Sequence, residues 1–473
     1  MTETPEQQSE LKSRVLARFV ADTRYEDIPE AIREKAVRHI LDSVGAAVAG
    51  AVSDEASKLL SVLPRSSGPG SAGSWGFGER LSAPDAAFVT GTAAHAFELD
   101  DTGGCDHSGA VVIPALFAAA EIAARPVTGK EVIEAMVLGY EIARRPLEAC
   151  GAYEPHNGAG FHSTGTCGPF GAAAAAAKIL KLDADQIQNA IGIASSFSGG
   201  LWSCVHNGAQ NKRLHAGHAA WGGVMAALLA RTGFTGPDHV FEEVWGGFNH
   251  SFAPTSSDPD AYLRDLGRVW KLGRVSIKPH AACRSAHSSI DAVDILRAKH
   301  GFKAEDVEKI VITINPLVYG MCGGYATEPI NAAQLSIPYS VAVDMVLGNA
   351  SLPSFAAKNR RDRRILDFMK RIEFIVDKSQ ADDEEPQVEV RLKTGESFRE
   401  HVQWPLGAPQ NPVTDEALLT KFKSVAGMTF RREAVDEIAD LLMKLPEIED
   451  VNARLIPLLG AKANTPTLFK DRN

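Results

Sequence analysis

Hydrophobic positions recur at helical spacing through roughly the first 260 residues. After Asp27, Ile28 and Pro29, the run EAIREKAVRHILDSVGAAVAG places apolar residues on a 3.6-residue period. Pro29 stands near its start, where a helix needs no N–H from it. The same period predicts helices over 84–99, 111–124, 129–145, 170–182, 183–197 and 218–233. Alanine and glycine dominate their faces. Small side chains let helix axes approach closely, so these segments are expected to form a compact all-α bundle.

The pattern changes near residue 265. RVWKLGRVSI, EKIVITIN (308–315) and RIEFIVD (371–377) alternate β-branched and apolar residues and predict strands. PQVEVRLKTGESFREHV (386–402) predicts a hairpin turning at Thr394 and Gly395. Helical patterns at 283–299 and 331–348 lie among these strands, and helix returns over 413–458. The expected fold is mainly α. A large all-α helical domain (1–265 and 405–473) would carry a smaller inserted α+β domain (266–404).

Bulk composition narrows the classes. At 473 residues the chain is long enough for two or three domains with a large core. Hydrophobic residues make up 45% and charged residues 23%, which is globular rather than disordered. A net charge of -10 disfavours nucleic acid as a partner, yet leaves room for a local cluster of cations around a small anion. The six cysteines include no CxxC pair, so they read as free thiols in a reducing compartment rather than as a zinc or iron–sulfur site. The polar start MTETPEQQSELKSR has no apolar core of an export signal, and the alanine-rich stretches are too interrupted to span a membrane. A cytoplasmic location is expected.

Four polar clusters interrupt the small-residue helices. GTAAHAFELDDTGGCDHSGAVVIPA carries His95, Glu98, Asp100, Asp101, Asp106 and His107. GAGFHSTGTCGPFG carries His162, Ser163 and Thr164; NKRLHAGHAAWGG carries Lys212, Arg213, His215 and His218; SIKPHAACRSAHSSIDA carries Lys278, His280, Cys283, Arg284 and His287. These residue types suit carboxylate chemistry. Lysine and arginine hold carboxylates by charge-assisted hydrogen bonds. Helix N-termini expected after Thr166 and Lys212 would add partial positive charge. Histidine moves protons near neutral pH. Blander readings stand beside each. Asp100-Asp101-Thr102 also reads as a helix-ending turn, Lys212 and Arg213 as a solvated helix start, and Cys283 as an inert thiol. His215 and His218 have a metal-compatible i,i+3 spacing but lack a third ligand. His39, His239, His300 and His401 read as structural.

Taken together and in this order, the four blocks resemble the MmgE/PrpD family over about residues 10–455. The family includes 2-methylcitrate dehydratases, cis-aconitate decarboxylases and iminodisuccinate epimerases. The resemblance implies a cleft between a helical domain and a lid-like α+β domain, a homodimer, and catalysis without metal or organic cofactor. It places His107, His162, Lys212 and Lys278 at family active-site positions. Glu98 stands where decarboxylase members carry aspartate, Cys283 where they carry histidine, and the loop from Glu98 to His107 is one residue shorter. His280 or His287 could cover the missing histidine. These departures point away from decarboxylation. They point to dehydration of a 2-methylcitrate-like polycarboxylate, with epimerisation of a dicarboxylate and non-catalytic metabolite binding as rivals. In the dehydratase reading Lys212, Lys278 and Arg284 hold carboxylates, helped by Ser163, His215, His280 and Cys283. His162 or Lys212 is the base, and His107, steadied by Glu98 or Asp101, the acid.

Overall fold

The computed structural model describes residues 10–463. Residues 1–9, which begin the segment expected to carry no export signal, lie outside them. The fold is mainly α. Ten helices precede residue 232: α1 (Lys12–Asp22), α2 (Glu30–Gly50), α3 (Asp54–Val62), α4 (Ala83–His95), α5 (Ser108–Glu121), α6 (Gly129–Ala149), α7 (Tyr153–Gly158), α8 (Ser163–Ile179), α9 (Ala184–Ala194) and α10 (Asn211–Arg231). α2 has the bounds that its periodicity predicts. Every residue of α8 is buried, as are most of α4, α5 and α6, so these helices form the centre of the bundle, α6 burying Glu134, Glu141, Arg144 and Arg145 as ion pairs.

Close helix approach does depend on small residues. A Cβ on Gly50 would lie 1.8 Å from the carbonyl oxygen of Ala93, and one on Gly223 would lie 2.2 Å from the Ala172 Cβ. These glycines set how near α2 comes to α4 and α10 to α8.

Several expectations are corrected. The first 260 residues are not purely helical: β1 (Ser71–Ser74) and β2 (Glu79–Ser82) form an antiparallel hairpin. It turns through Gly76 and Gly78, both at positive φ. The helix expected to run to Leu99 ends at His95. Glu98 is left-handed at φ 52°, which a continuing helix forbids. α8 and α10 start at Ser163 and Asn211, so their N-termini precede Thr166 and Lys212. RVWKLGRVSI is not a strand. The N–H groups of Gly273 and Val275 close turns on Trp270 and Leu272, and only Ser276 makes an isolated bridge, to Thr102. Its apolar residues Trp270, Leu272 and Val275 join the helical core instead of a sheet.

The other strand expectations hold. β3 (Val307–Ile314), β4 (Ile372–Val376), β5 (Gln387–Leu392) and β6 (Ser397–His401) form one sheet in the order β4-β3-β5-β6. β3 and β4 run parallel, while the other neighbours are antiparallel. Gly395 takes φ 91° in the β5–β6 turn. The expected helix at 283–299 spans His287–His300. That at 331–348 splits into Ile330–Gln334 and Ile337–Leu347, because Ser336 caps a new start at Ile337-Pro338. This sheet and its helices share a second apolar core, which also receives Ala46, Phe97 and Leu99 from the helical bundle. The segment 96–99 therefore sits where the two cores meet. No helix among the described residues is long and apolar enough to cross a membrane.

Gly50→Ala and Gly223→Ala should each lose about 1–3 kcal/mol in urea unfolding, because the added methyl has nowhere to go. Gly324→Ala, with nothing within 4 Å of the new Cβ, should stay within about 0.5 kcal/mol of the parent.

Candidate active site

The site is assembled where helices begin and end. α4 ends at His95, His107 is the N-cap residue of α5, His162 is the N-cap residue of α8, and Lys212 and Arg213 lie in the first turn of α10. Three helix N-termini thus meet around one spot, and their partial positive charges favour an anion there. The His107 N–H donates to Thr164 Oγ1 at 3.3 Å, which ties the starts of α5 and α8 together.

Glu98 is the organising carboxylate. Lys212 Nζ and Arg213 Nη1 both contact its Oε1, and Lys278 Nζ reaches Oε2 at 3.1 Å. Burial alone would raise the Glu98 pKa. Lys212, Arg213 and Lys278 outweigh it and hold the carboxyl well below its usual range. The same pairing raises the pKa of Lys278 against its own burial. The outer side of Arg213 is held by Asn331 and Gln334, and Gln334 also donates to the carbonyl of Phe97 at 2.7 Å. Residues on both sides of the core boundary thereby converge on Glu98.

The second organiser is Asp100, not Asp101. Asp100 Oδ2 lies 3.0 Å from both His95 Nδ1 and His107 Nδ1. Burial would raise its pKa, but the two imidazoles lower it well below the ordinary value. Asp101 faces the other way. It accepts from the Tyr140 hydroxyl at 2.6 Å and the Gly109 N–H at 2.9 Å, and pairs with His39 at 2.9 Å. It touches His107 only through its backbone oxygen, 3.0 Å from Nδ1. Its side chain therefore fastens α5 to α2 and α6, and the acid–base partner expected of Asp101 is its neighbour. Asp106 completes the ring: it accepts from Thr102 Oγ1 at 3.0 Å, and its Oδ2 lies 3.5 Å from His107 Nε2 and 3.6 Å from His162 Nε2. At φ 97° Asp106 is strained for a residue with a Cβ.

These carboxylates divide the imidazoles. Burial lowers the His107 pKa, but Asp106 and Asp100 more than compensate, and it ends raised. For His162 burial wins, and its pKa falls to about 4. His95 is lowered well below its ordinary value, again by burial first. His162 Nδ1 meets His215 Nδ1 at 2.9 Å, and burial takes His215 down to about 3. The site thus holds one imidazole whose proton affinity is raised beside three whose proton affinity is lowered.

A cavity of about 780 Å³ opens against this wall. Glu98, Thr102, Asp106, His107 and Lys212 line its floor, Arg144, Lys271 and Arg274 one flank, and Cys283, Arg284 and Asp382–Glu385 the other. His162 and Lys278, both fully buried, stand behind the floor and do not line the cavity. Arg284 faces the cavity but is paired with Glu385 at 2.7 Å. His280 is engaged by Asp291 at 3.0 Å, and His287 Nε2 faces the carbonyl of Ala282 at 3.3 Å, so neither imidazole lines the cavity in place of Cys283. Ser163 bonds Asn157 within the wall. His218 stacks on Trp221 and does not join a metal-sized group. His95, Asp100, Asp106 and Arg213 carry as much of the geometry as the residues singled out from sequence. All four lie in the quoted blocks, but nothing in spacing separates Asp100 from Asp101.

Glu98→Gln should strip three buried cations of their counter-charge. A loss of about 3–5 kcal/mol is expected in chemical denaturation at neutral pH. Because the folded pKa of Glu98 is depressed, its contribution is complete above the unfolded carboxylate range and is lost as pH falls through the folded value. Parental stability should therefore fall on acidification more steeply than that of Glu98→Gln.

The MmgE/PrpD N-terminal domain matches residues 14–259 and the MmgE/PrpD C-terminal domain residues 280–445. A cis-aconitate decarboxylase of Aspergillus terreus strain NIH 2624 / FGSC A1156 is 28% identical, over 97% of this chain and 98% of its own. The cis-aconitate decarboxylases of Mus musculus and Homo sapiens are each 27% identical, over 89% and 92% of this chain and 88% and 91% of their own. Two consecutive domain matches that together cover most of the chain, from residue 14 to residue 445 apart from 260–279, show that this chain belongs to the MmgE/PrpD family.

Proposed function

We propose that this protein is a lyase that moves a proton at the carbon beside a carboxylate of a citrate- or aconitate-class polycarboxylate. The observation that carries the reading is His107. It is an imidazole that burial, Asp106 and Asp100 together leave with a raised pKa, and it faces the cavity beside Lys212. Arg144, Lys271 and Arg274 share the single carboxylate of Glu148, so this flank, with Lys212 on the floor, keeps an excess of cationic side chains for substrate carboxylates. Negative charge that grows on a carboxylate during C–H cleavage is stabilised there more in the transition state than in the ground state.

Dehydration is the leading form of the reaction. It needs an acid for the leaving hydroxyl and a base for the C–H. Pairs of titratable groups whose pKa values are pushed apart are where such roles lie. His107 is the acid, and Lys212 or His162 the base. Lys212 lines the cavity but can take a proton only as the free amine, not as the cation that pairs with Glu98, whereas His162 is already neutral but does not line the cavity. Decarboxylation is the second reading. It is supported by the near full-length likeness to cis-aconitate decarboxylases, and by the fact that losing carbon dioxide requires only a cavity-facing acid to protonate the resulting carbanion. Division of the chain near residues 265 and 405, movement of the α+β unit as a lid, a homodimer and a cytoplasmic location belong to the same proposal.

Incubation of the pure protein with 2-methylcitrate, citrate and cis-aconitate in deuterated water, followed by proton NMR, separates the forms. A conjugated alkene from the hydroxy acids is the dehydratase outcome. Loss of a carboxyl group from cis-aconitate is the decarboxylase outcome. Deuterium exchange without either product marks an epimerase, and no change in any substrate would overturn the enzyme reading. His107→Gln should lower turnover about 10²–10⁴-fold with the fold intact. The alkaline limb of the pH profile should lie above pH 6.5, the ordinary histidine value, where the raised His107 loses its proton.

A further inference from the structure

Three imidazoles in this site are arranged alike. Each has its Nδ1 engaged: that of His95 and of His107 by Asp100 at 3.0 Å, and that of His162 by His215 at 2.9 Å. That leaves the Nε2 of each ring, of which His95 Nε2 is met by Lys212 Nζ at 3.2 Å. The three residues bring one ligand atom apiece to within 4.8 Å of one another. The Asp106 carboxylate reaches two of these nitrogens from 3.5 and 3.6 Å. His162 Nε2 is fully buried and has no hydrogen-bond partner among the described residues. A buried nitrogen normally does have one, so an orphan aimed at a shared centre calls for an explanation.

We propose that His95, His107 and His162, with Asp106, form a binding site for a borderline divalent transition-metal ion, zinc being the type case, and that the bound ion blocks turnover. Imidazole and carboxylate donors select zinc, copper, nickel or cobalt over magnesium. A carboxylate behind each metal-binding imidazole is the usual outer-shell support, and Asp100 supplies it twice. The widest donors must draw together by roughly 1.5 Å to reach tetrahedral zinc bonds of about 2.0–2.1 Å. Lys212 Nζ lies 3.2 Å from His95 Nε2 and must withdraw, but it keeps Glu98 as its partner when it does. The inhibition follows from displacement: an ion on Nε2 of His107 occupies the atom that carries the transferable proton. That half of the proposal rests on the lyase reading, whereas metal binding does not.

Cobalt(II) added to the full-length, chelator-treated protein without substrate tests the binding half. One equivalent should give visible d–d bands without a near-ultraviolet thiolate band. Zinc should displace it, and magnesium should not. His162→Gln and Asp106→Asn, each checked for folding by circular dichroism, should weaken binding by at least about tenfold. Cys283→Ser, which removes the thiol lining the same cavity, should leave binding unchanged. A thiolate band that vanishes in Cys283→Ser, or equal affinity in the parent and both site variants, would overturn the site. Saturating zinc that binds but leaves turnover of an accepted substrate unchanged would overturn the inhibition. If no substrate is turned over at all, the lyase reading fails while the binding result stands.

Discussion

The Glu98 carboxylate is the constraint around which the molecule is organised. Three buried cations share it, and they arrive from two distant parts of the chain: Lys212 and Arg213 from the start of α10, and Lys278 from the segment entering the α+β unit. None of them could stay buried and charged alone. Ion pairing at this depth is no strong source of net stability. It specifies position, because only one arrangement satisfies every charge. Glu98 reaches all three by leaving α4 and turning left-handed at the edge of both apolar cores. The extra methylene of glutamate over aspartate lengthens that reach.

A second level of organisation sits on the first. At His107 the charges of Asp106 and Asp100 outweigh burial, whereas at His162 and His95 burial outweighs the pull of Asp106 and Asp100 respectively. Chemically identical rings, packed with centroids 4.3 to 6.0 Å apart, thereby acquire different proton affinities. The bundle makes this possible. Small residues along α2, α4, α8 and α10 let the helices approach until their ends share one small volume, and the rings at those ends come within reach of the same carboxylates.

Much of this is legible in the sequence, and the rest is not for definite reasons. The helical period locates α2 to the residue, and alternation finds four of the strands. The long blocks around His107, His162, Lys212 and Lys278 mark the polar interruptions of an otherwise apolar bundle. Periodicity says nothing of which way consecutive aspartates point. Asp101 looks as good a partner for His107 as Asp100 until the turn after His95 sends one inward to the imidazoles and the other back to Tyr140 and His39. RVWKLGRVSI alternates like a strand, yet no neighbouring strand is available to it and its apolar side chains are taken up by the helical core. The partnership of Arg284 with Glu385 spans 101 residues and has no local signal at all.

The central claim is that burial and the buried carboxylates move the proton affinities of neighbouring imidazoles in opposite directions from the ordinary histidine value. Nitrogen-15 NMR of histidine-labelled protein, assigned with His107→Gln and His162→Gln, reads this directly. The account predicts a His107 ring that stays protonated above pH 6.5 and a His162 ring that stays neutral down to about pH 4. Two rings titrating together near 6.5, or a neutral His107 at that pH, would contradict it.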